Sequence, residues 1–363
     1  MLRTRINQAA WAYAVPTVLA LAAAVGASYI EEGQSKDSPP VAKAAHVPEV
    51  RALLGNLAID KPRTHKNMVV FPLRFSGKQA PGQWSTLDDA VTAGQLKVSE
   101  LESATVPEVR VENLGDKSVL LVSGEIIKGG KQTRTVAKDT VIEARQKVAV
   151  AVFCVEQHRW AGGKDFRSSP SMAPASIQGY LKSGAGQGAV WQGVRDSARA
   201  VGAESKTESL EEVLQSDKVQ RSHEETHKAL GRFSPPDTIG IAVADARTGR
   251  VVGLELFGRR DLFERLQDKL VEGYATDLVL AAADWKEADS RKVSEDEVDA
   301  FIRRALGGTS RYEDTPGSGR GIDLVSGSIR GKGVALGENA IHLSIQDVGS
   351  TVTPVRPVVD DRR

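Results

Sequence analysis

VLLVSGEIIKGGKQTRTVAKDTVIEARQKVAVAVFCVEQHRW, residues 119–160, holds two apolar runs with a glycine-bearing polar segment between them. The first run, Val119 to Gly124, leads into Glu125. The second, Lys147 to Val155, empties into Glu156, Gln157, His158, Arg159 and Trp160. Between them stand Lys128, Gly129, Gly130, Lys131, Gln132, Thr133 and Arg134. Short apolar, β-branched runs bounded by turn-formers read as strands. Each strand is expected to end on Glu125 or Glu156 and to deliver a cluster of ionisable and amide side chains there.

Working outward, the flanking sequence extends the β unit. Strands are expected at Met68 to Phe75, Leu96 to Leu101, Val109 to Asn113 and Ser118 to Ser123, with a short helix from Leu87 to Ala93. Arg134 to Glu143 alternates and reads as a further strand pair. Gly162 to Gly188 is rich in Gly, Ser, Ala and Pro and reads as a long loop with at most one helical turn around Ile177 to Lys182. Helices follow at Ala189 to Val201, Leu210 to Leu214 and Val219 to Leu230. Ile239 to Asp245 and Val251 to Phe257 form a hairpin around Thr248–Gly249. Leu262, Leu266, Leu270, Tyr274 and Leu278 fall four apart, which makes Asp261 to about Ala283 the strongest helix. Ser294 to Leu306 is a capped helix, and Ile322 to Arg330 with Val334 to Gln346 reads as a terminal hairpin. The fold class is α+β: a mostly antiparallel β unit, a helical second half, and a small C-terminal helix and β-hairpin extension.

The ends of the chain read differently. Arg3 and Arg5 precede an apolar stretch from Ala9 to Ile30 that closes on small residues. It is expected to be a secretory signal peptide cleaved after Ala27, or else an uncleaved membrane anchor. Both readings place the body of the protein outside the cytoplasm, periplasmic or secreted, with the membrane touched only through this segment. Residues 31–49 form a proline-bearing linker, residues 50–285 the main domain, residues 286–350 the extension and residues 351–363 a tail. Lys+Arg total 48 against 47 for Asp+Glu, so the basic excess that a nucleic-acid partner requires is absent. The single cysteine, Cys154, excludes an internal disulfide.

In the second strand Val148, Val150, Val152, Cys154, Glu156 and His158 would share one face. Same-face neighbours stand about 6.8 Å apart, which would set Cys154 and His158 about 13 Å apart, too far for a nucleophile and its base. Cys154 is therefore read as a small core filler. Glu125 and Glu156 are candidate catalytic carboxylates if the two strand ends converge. The rival reading pairs each with Lys128, Lys131, Arg134 or Arg159 in an ion-pair network. In GGKQTR, residues 129–134, the glycines let backbone approach a bound group, while Lys131, Gln132 and Arg134 offer charge and hydrogen bonds. Arg159 and Trp160 complete this candidate ligand-binding set, Trp160 as an aromatic wall. A tight turn with a solvated basic face is the bland alternative. No metal-ligand spacing stands out. His223 and His227 are four apart, but on a very polar helix, and no cofactor is named by any motif.

Gly124, Glu125, Gly130, Lys131, Gln132, Arg134, Cys154, Glu156, Arg159 and Trp160, in this order, resemble the motifs of the ARG and rhodanese-phosphatase-superfamily-associated protein domain family. The resemblance covers roughly Asn67 to Ala283. It implies no established activity. The family name reflects association with ADP-ribosylglycohydrolases and rhodanese-like phosphatases, which points toward nucleotide or ADP-ribose metabolism or toward stress and conflict systems. The export signal is a departure from that setting.

These observations lead to one expectation: an exported α+β domain that binds an anionic, nucleotide- or sugar-like small molecule at two strand ends. Two alternatives stand beside it. One is a hydrolase using Glu125 or Glu156 as general acid or base. The other is an envelope structural or interaction module contacting a protein through the loop from Gly162 to Gly188 and the C-terminal hairpin.

Overall fold

A computed structural model describes residues 46–101, 107–279 and 285–351. The leader, most of the linker and all but the first residue of the tail lie outside the described residues. The chain runs α1 (Pro48–Leu54), β1 (Leu57–Ile59), β2 (Arg63–His65), β3 (Met68–Phe75), β4 (Trp84–Thr86), α2 (Leu87–Thr92), β5 (Leu96–Glu100) and β6 (Glu108–Asn113). It continues through β7 (Ser118–Leu121), β8 (Glu125–Gly129), β9 (Arg134–Val136), β10 (Thr140–Ile142), β11 (Lys147–Cys154), β12 (Asp165–Met172), α3 (Ala175–Lys182) and α4 (Gln187–Val201). The remainder is α5 (Leu210–Leu214), α6 (Asp217–Leu230), β13 (Thr238–Asp245), β14 (Arg250–Phe257), α7 (Arg260–Leu278), α8 (Glu295–Leu306), β15 (Thr309–Glu313), β16 (Arg320–Ser326), β17 (Ile329–Leu336), β18 (Asn339–Asp347) and α9 (Val348–Thr351). The fold class is α+β.

Six strands close a barrel in the order β11-β6-β5-β12-β8-β9. Its filling follows from strand alternation: Val98, Val109, Val111, Ile127, Val136, Val150, Val152 and Phe166 all point inward and are buried. Each such aliphatic side chain contributes about 1.5–3 kcal/mol by leaving water. A small sheet, β10-β7-β4, lies beside the barrel and contains the parallel pair β4–β7.

The other layer is a nine-stranded antiparallel sheet, β1-β3-β13-β14-β18-β17-β16-β15, with β2 also pairing β3. Every residue of β13 is buried, as expected for a strand covered on both faces. Leu262, Phe263, Leu266, Leu270 and Tyr274 of α7 pack on one face with Val70, Ile241, Val243 and Ile341. Val298, Phe301, Ile302 and Ala305 of α8 pack on the other with Phe71, Leu254 and Leu343. A capping box in which Ser294 and Glu297 bond each other's backbone starts α8. Among the described residues no helix is long and apolar enough to cross a membrane.

Several expected elements differ. Gly162 to Gly188 is not a loop throughout: β12 closes the barrel against β5 and β8, and α3 follows it. The reason is tertiary, since β12 is held by backbone pairing and buries Ser169 and Ser171, a pattern with no apolar period. Arg134 to Glu143 does contain two strands, but β9 joins the barrel and β10 pairs β7. The C-terminal hairpin is a three-strand meander of β16, β17 and β18, turning at Gly327 and Gly337, both with positive φ. Its last strand pairs β14, so residues 309–347 belong to the large sheet.

Candidate functional site

One mouth of the barrel is polar. Leu96, Val98 and Glu100 alternate inward along β5, as do Val136 and Arg134 along β9 and Val150, Val152 and Cys154 along β11. Cys154 stands opposite Arg134 in the strand register. The lumen therefore changes from aliphatic to ionic at one end, where Glu100 and Arg134 face each other. Both are buried, with Arg134 Nη2 4.0 Å from Glu100 Oε1. Arg134 Nη1 donates to Gln132 Oε1 at 2.8 Å. Its Nε and Nη2 have no hydrogen-bond partner among the described residues, and neither does Glu100 Oε2. A buried donor left unpaired costs about 1–3 kcal/mol, more when it is charged.

Trp160 lies across this mouth. Its ring centroid is 5.9 Å from Arg134 Cζ and 5.1 Å from Lys131 Nζ. At 51% exposed it covers Arg134 from the solvent side rather than packing into the core. The Lys131 backbone N–H donates to Glu100 Oε1 at 2.8 Å, which orients that carboxylate. Gly130 makes this possible. Its φ is +50°, and a Cβ there would stand 2.2 Å from the Phe166 ring and 2.8 Å from Glu100 Oε1.

Glu156 and Arg159 hold this end together. Glu156 Oε2 accepts from the Thr133 N–H at 2.9 Å, the Thr133 hydroxyl at 2.8 Å and Arg159 Nη2 at 2.7 Å. Its Oε1 accepts from Arg159 Nε at 2.8 Å and from the Thr207 hydroxyl at 3.0 Å. Burial pushes the Glu156 carboxyl up, but hydrogen bonds from Arg159 and Thr133 outweigh it and hold the group below the usual carboxylate range. Arg159 also donates to the carbonyls of Gly129, Gly130 and Ala161, tying the glycine segment to the chain after β11. Gln132 Nε2 donates to the carbonyls of Glu156 and Gln157 at 2.9 and 3.3 Å. The Cys154 thiol donates to the Glu156 carbonyl at 2.9 Å. Gln187 brackets the Cys154 backbone, accepting from its N–H and donating to its carbonyl. His158 is more than half exposed and faces Glu208, apart from Cys154.

Lys131, Gln132, Arg134, Glu156, Arg159 and Trp160 are thus brought together, whereas Glu125 is not. The strand β7 ends at Leu121, and the turn Val122–Glu125, closed by a 3.1 Å backbone bond, redirects the chain. Glu125 therefore begins β8 instead of ending a strand. Its side chain is fully buried against α7 and α2: Oε1 lies 3.4 Å from Lys269 Nζ, which sits 2.6 Å from Asp88. Burial raises its carboxyl to about 7 despite the pull of Lys269. The two glutamates expected to converge serve different ion-pair networks.

A family model described as ARPP-1, ARG and Rhodanese-Phosphatase-superfamily-associated Protein domain, matches residues 56–346. The chain belongs to this family. The match takes in the three-strand meander and α8, beyond the segment that carries the motif resemblance. No curated protein and no solved structure matches.

The ARPP-1 domain also contains an interior ionic cluster with no counterpart in the motif reading. His342 on β18 is fully buried, with Nδ1 2.6 Å from Asp139 Oδ2 and Nε2 3.4 Å from Glu255 Oε2. Glu255 Oε1 accepts from the Tyr274 and Ser344 hydroxyls at 2.9 and 2.7 Å. Burial alone would lower His342, but the Asp139 carboxylate and then Glu255 raise it to about 9. Lys182, also buried, is lowered by desolvation while Glu255 and Asp139 oppose that shift. A single His in a β-branched alternation gave no sequence signal for this cluster. Among the described residues no group of three or more His, Cys, Asp or Glu is arranged to hold a metal ion. An open cavity of about 630 Å³ lies elsewhere, lined by Phe75, Pro81, Trp84 and Asn339, and none of the motif residues lines it.

Proposed function

We propose that the polar barrel mouth binds an anionic small molecule, with Arg134 and Lys131 as its cationic contacts and Trp160 as its cover. The observation that carries this reading is the Arg134 guanidinium, whose Nε and Nη2 are buried and unpartnered among the described residues. It is the one side chain there with two such atoms. An arginine fork suits a carboxylate or phosphate oxygen pair, and barrel mouths are common ligand sites. Lys131 adds a second charge that forms no ion pair among the described residues; its ammonium rests over the Trp160 ring. Glu156, Arg159 and Gln132 act as positioning residues in this account, because their polar atoms are already engaged. If residues 9–30 direct export, the ligand is met outside the cytoplasm.

The test is calorimetric titration of the purified protein with inorganic pyrophosphate and with nucleoside monophosphates, repeated on Arg134→Lys. Lysine keeps the charge but loses the fork, so affinity is expected to fall at least about tenfold with the fold intact by circular dichroism. Equal binding by both proteins would refute the site.

A hydrolase using Glu125 as general base is the second reading; burial raises that carboxyl to about 7 against the pull of Lys269, and its side chain is fully buried. Hydrolysis of a phosphoester or glycoside substrate that disappears in Glu125→Gln would support it. Unchanged turnover in that variant would remove it.

A further inference from the structure

The barrel mouth carries a second unpartnered group beside the guanidinium, and it constrains the ligand beyond its charge. Glu100 Oε1 is engaged by the Lys131 N–H, but Oε2 is buried and without a partner among the described residues. That acceptor sits on the carboxylate 4.0 Å from Arg134 Nη2, so an unpaired donor fork and an unpaired acceptor stand side by side. A bare phosphate or carboxylate satisfies Arg134 but leaves Glu100 Oε2 unpaired and is held less tightly for its like charge. A complementary ligand offers a carbonyl acceptor next to N–H donors. A flat ring is also favoured, since the Trp160 indole spans the mouth with more than half of its surface exposed. Lys131 and Arg134 against Glu100 leave one net positive charge, which suits a ligand that also carries phosphate.

We infer that the ligand is a purine nucleotide of the guanine type. Its ring packs under Trp160, whose indole moves outward from its 5.9 Å contact with Arg134 to admit it. Its ring carbonyl accepts from Arg134, and the adjacent ring N–H and amino group donate to Glu100. Its phosphate reaches Lys131. Adenine presents the opposite edge, a donor where guanine has its carbonyl and an acceptor where guanine has its N–H. A site built from buried polar groups rejects such a ligand because those groups stay unpaired. This inference rests on the anion-binding reading and adds the identity of the base.

The experiment is titration with guanosine, inosine and adenosine monophosphates and with inorganic pyrophosphate, read by calorimetry and by tryptophan fluorescence. Guanosine monophosphate is expected to bind at least about tenfold more tightly than adenosine monophosphate. Inosine monophosphate, which lacks the amino group, should fall between them. Glu100→Gln keeps the bond to Lys131 but replaces the second acceptor with a donor, and should erase the preference. Trp160→Phe should remove the fluorescence response and weaken the binding of every nucleotide in calorimetry. Equal affinity for the guanine and adenine nucleotides overturns the base assignment, as does a preference that survives in Glu100→Gln. If pyrophosphate and all nucleotides bind alike through Arg134, the anion site stands and only the base assignment fails. If nothing binds, both fail.

Discussion

Replacing His342 by glutamine should destabilise the protein by an amount that depends on pH. In the folded protein the imidazole is buried between Asp139 and Glu255 and is raised from 6.5 to about 9. At about 1.4 kcal/mol per pH unit, that rise corresponds to about 3 kcal/mol of stability. Because the folded value lies above the unfolded one, the contribution is complete below pH 6.5 and fades as pH climbs to about 9. The groups facing the ring are Asp139 and Glu255, with the Phe257 ring at 4.5 Å, while Lys182 interacts with both carboxylates from α3. Glutamine keeps some of the volume and a hydrogen-bond donor but has no charge to lose. The wild-type and His342→Gln proteins would be unfolded in urea at a series of pH values from 6 to 10. Titration of groups remote from the ring is common to both and cancels in the difference. The gap between their unfolding free energies should be about 3 kcal/mol larger at pH 6 than at pH 10. A gap that stays constant across this range would refute the imidazolium as the cation that neutralises Asp139 and Glu255.

Three further outcomes follow from the geometry. Lys269→Met strands Glu125 and Asp88 without their shared cation, so it should cost about 3–5 kcal/mol in denaturant melts. Adding Glu125→Gln should restore part of that loss, and no recovery would argue against the pairing. Gly130→Ala meets the Phe166 ring and imposes an L side chain at positive φ, so thermal melting should show a loss of about 1–3 kcal/mol. Glu156→Gln removes the carboxylate gripped by Arg159, Thr133 and Thr207, and should cost about 2–4 kcal/mol while speeding proteolysis of the segment after β11. Protease resistance equal to wild type would mean that Glu156 does not hold that segment.

Much of this architecture is legible because periodicity is local. The alternation of β11, the hairpin of β13 and β14, and the four-residue spacing on α7 each signal their own element. The convergence of GGKQTR with Glu156, Arg159 and Trp160 is legible for a related reason, since β9 and β11 are neighbours separated by a short excursion. Pairing between distant segments is not legible. The serine-rich β12 is a strand only because β5 and β8 accept it. VLLVSG reads as one run, which puts Glu125 at a strand end. Gly124 at φ +96° instead turns the chain there and sends Glu125 toward α7. Glu100 ends an ordinary alternating strand and becomes a site residue only when the barrel closes. His342, Asp139 and Glu255 come from three separate regions of the chain, and only their joint burial makes them a cluster.

The central claim is that Arg134 at the barrel mouth holds an anionic ligand, and its most direct measurement is the affinity of wild type and Arg134→Lys for inorganic pyrophosphate and guanosine monophosphate. Measurable binding by the wild type, weakened at least about tenfold by the lysine, is the predicted result. Wild-type affinity retained in Arg134→Lys, or no binding of any probe by a folded wild-type protein, would contradict it.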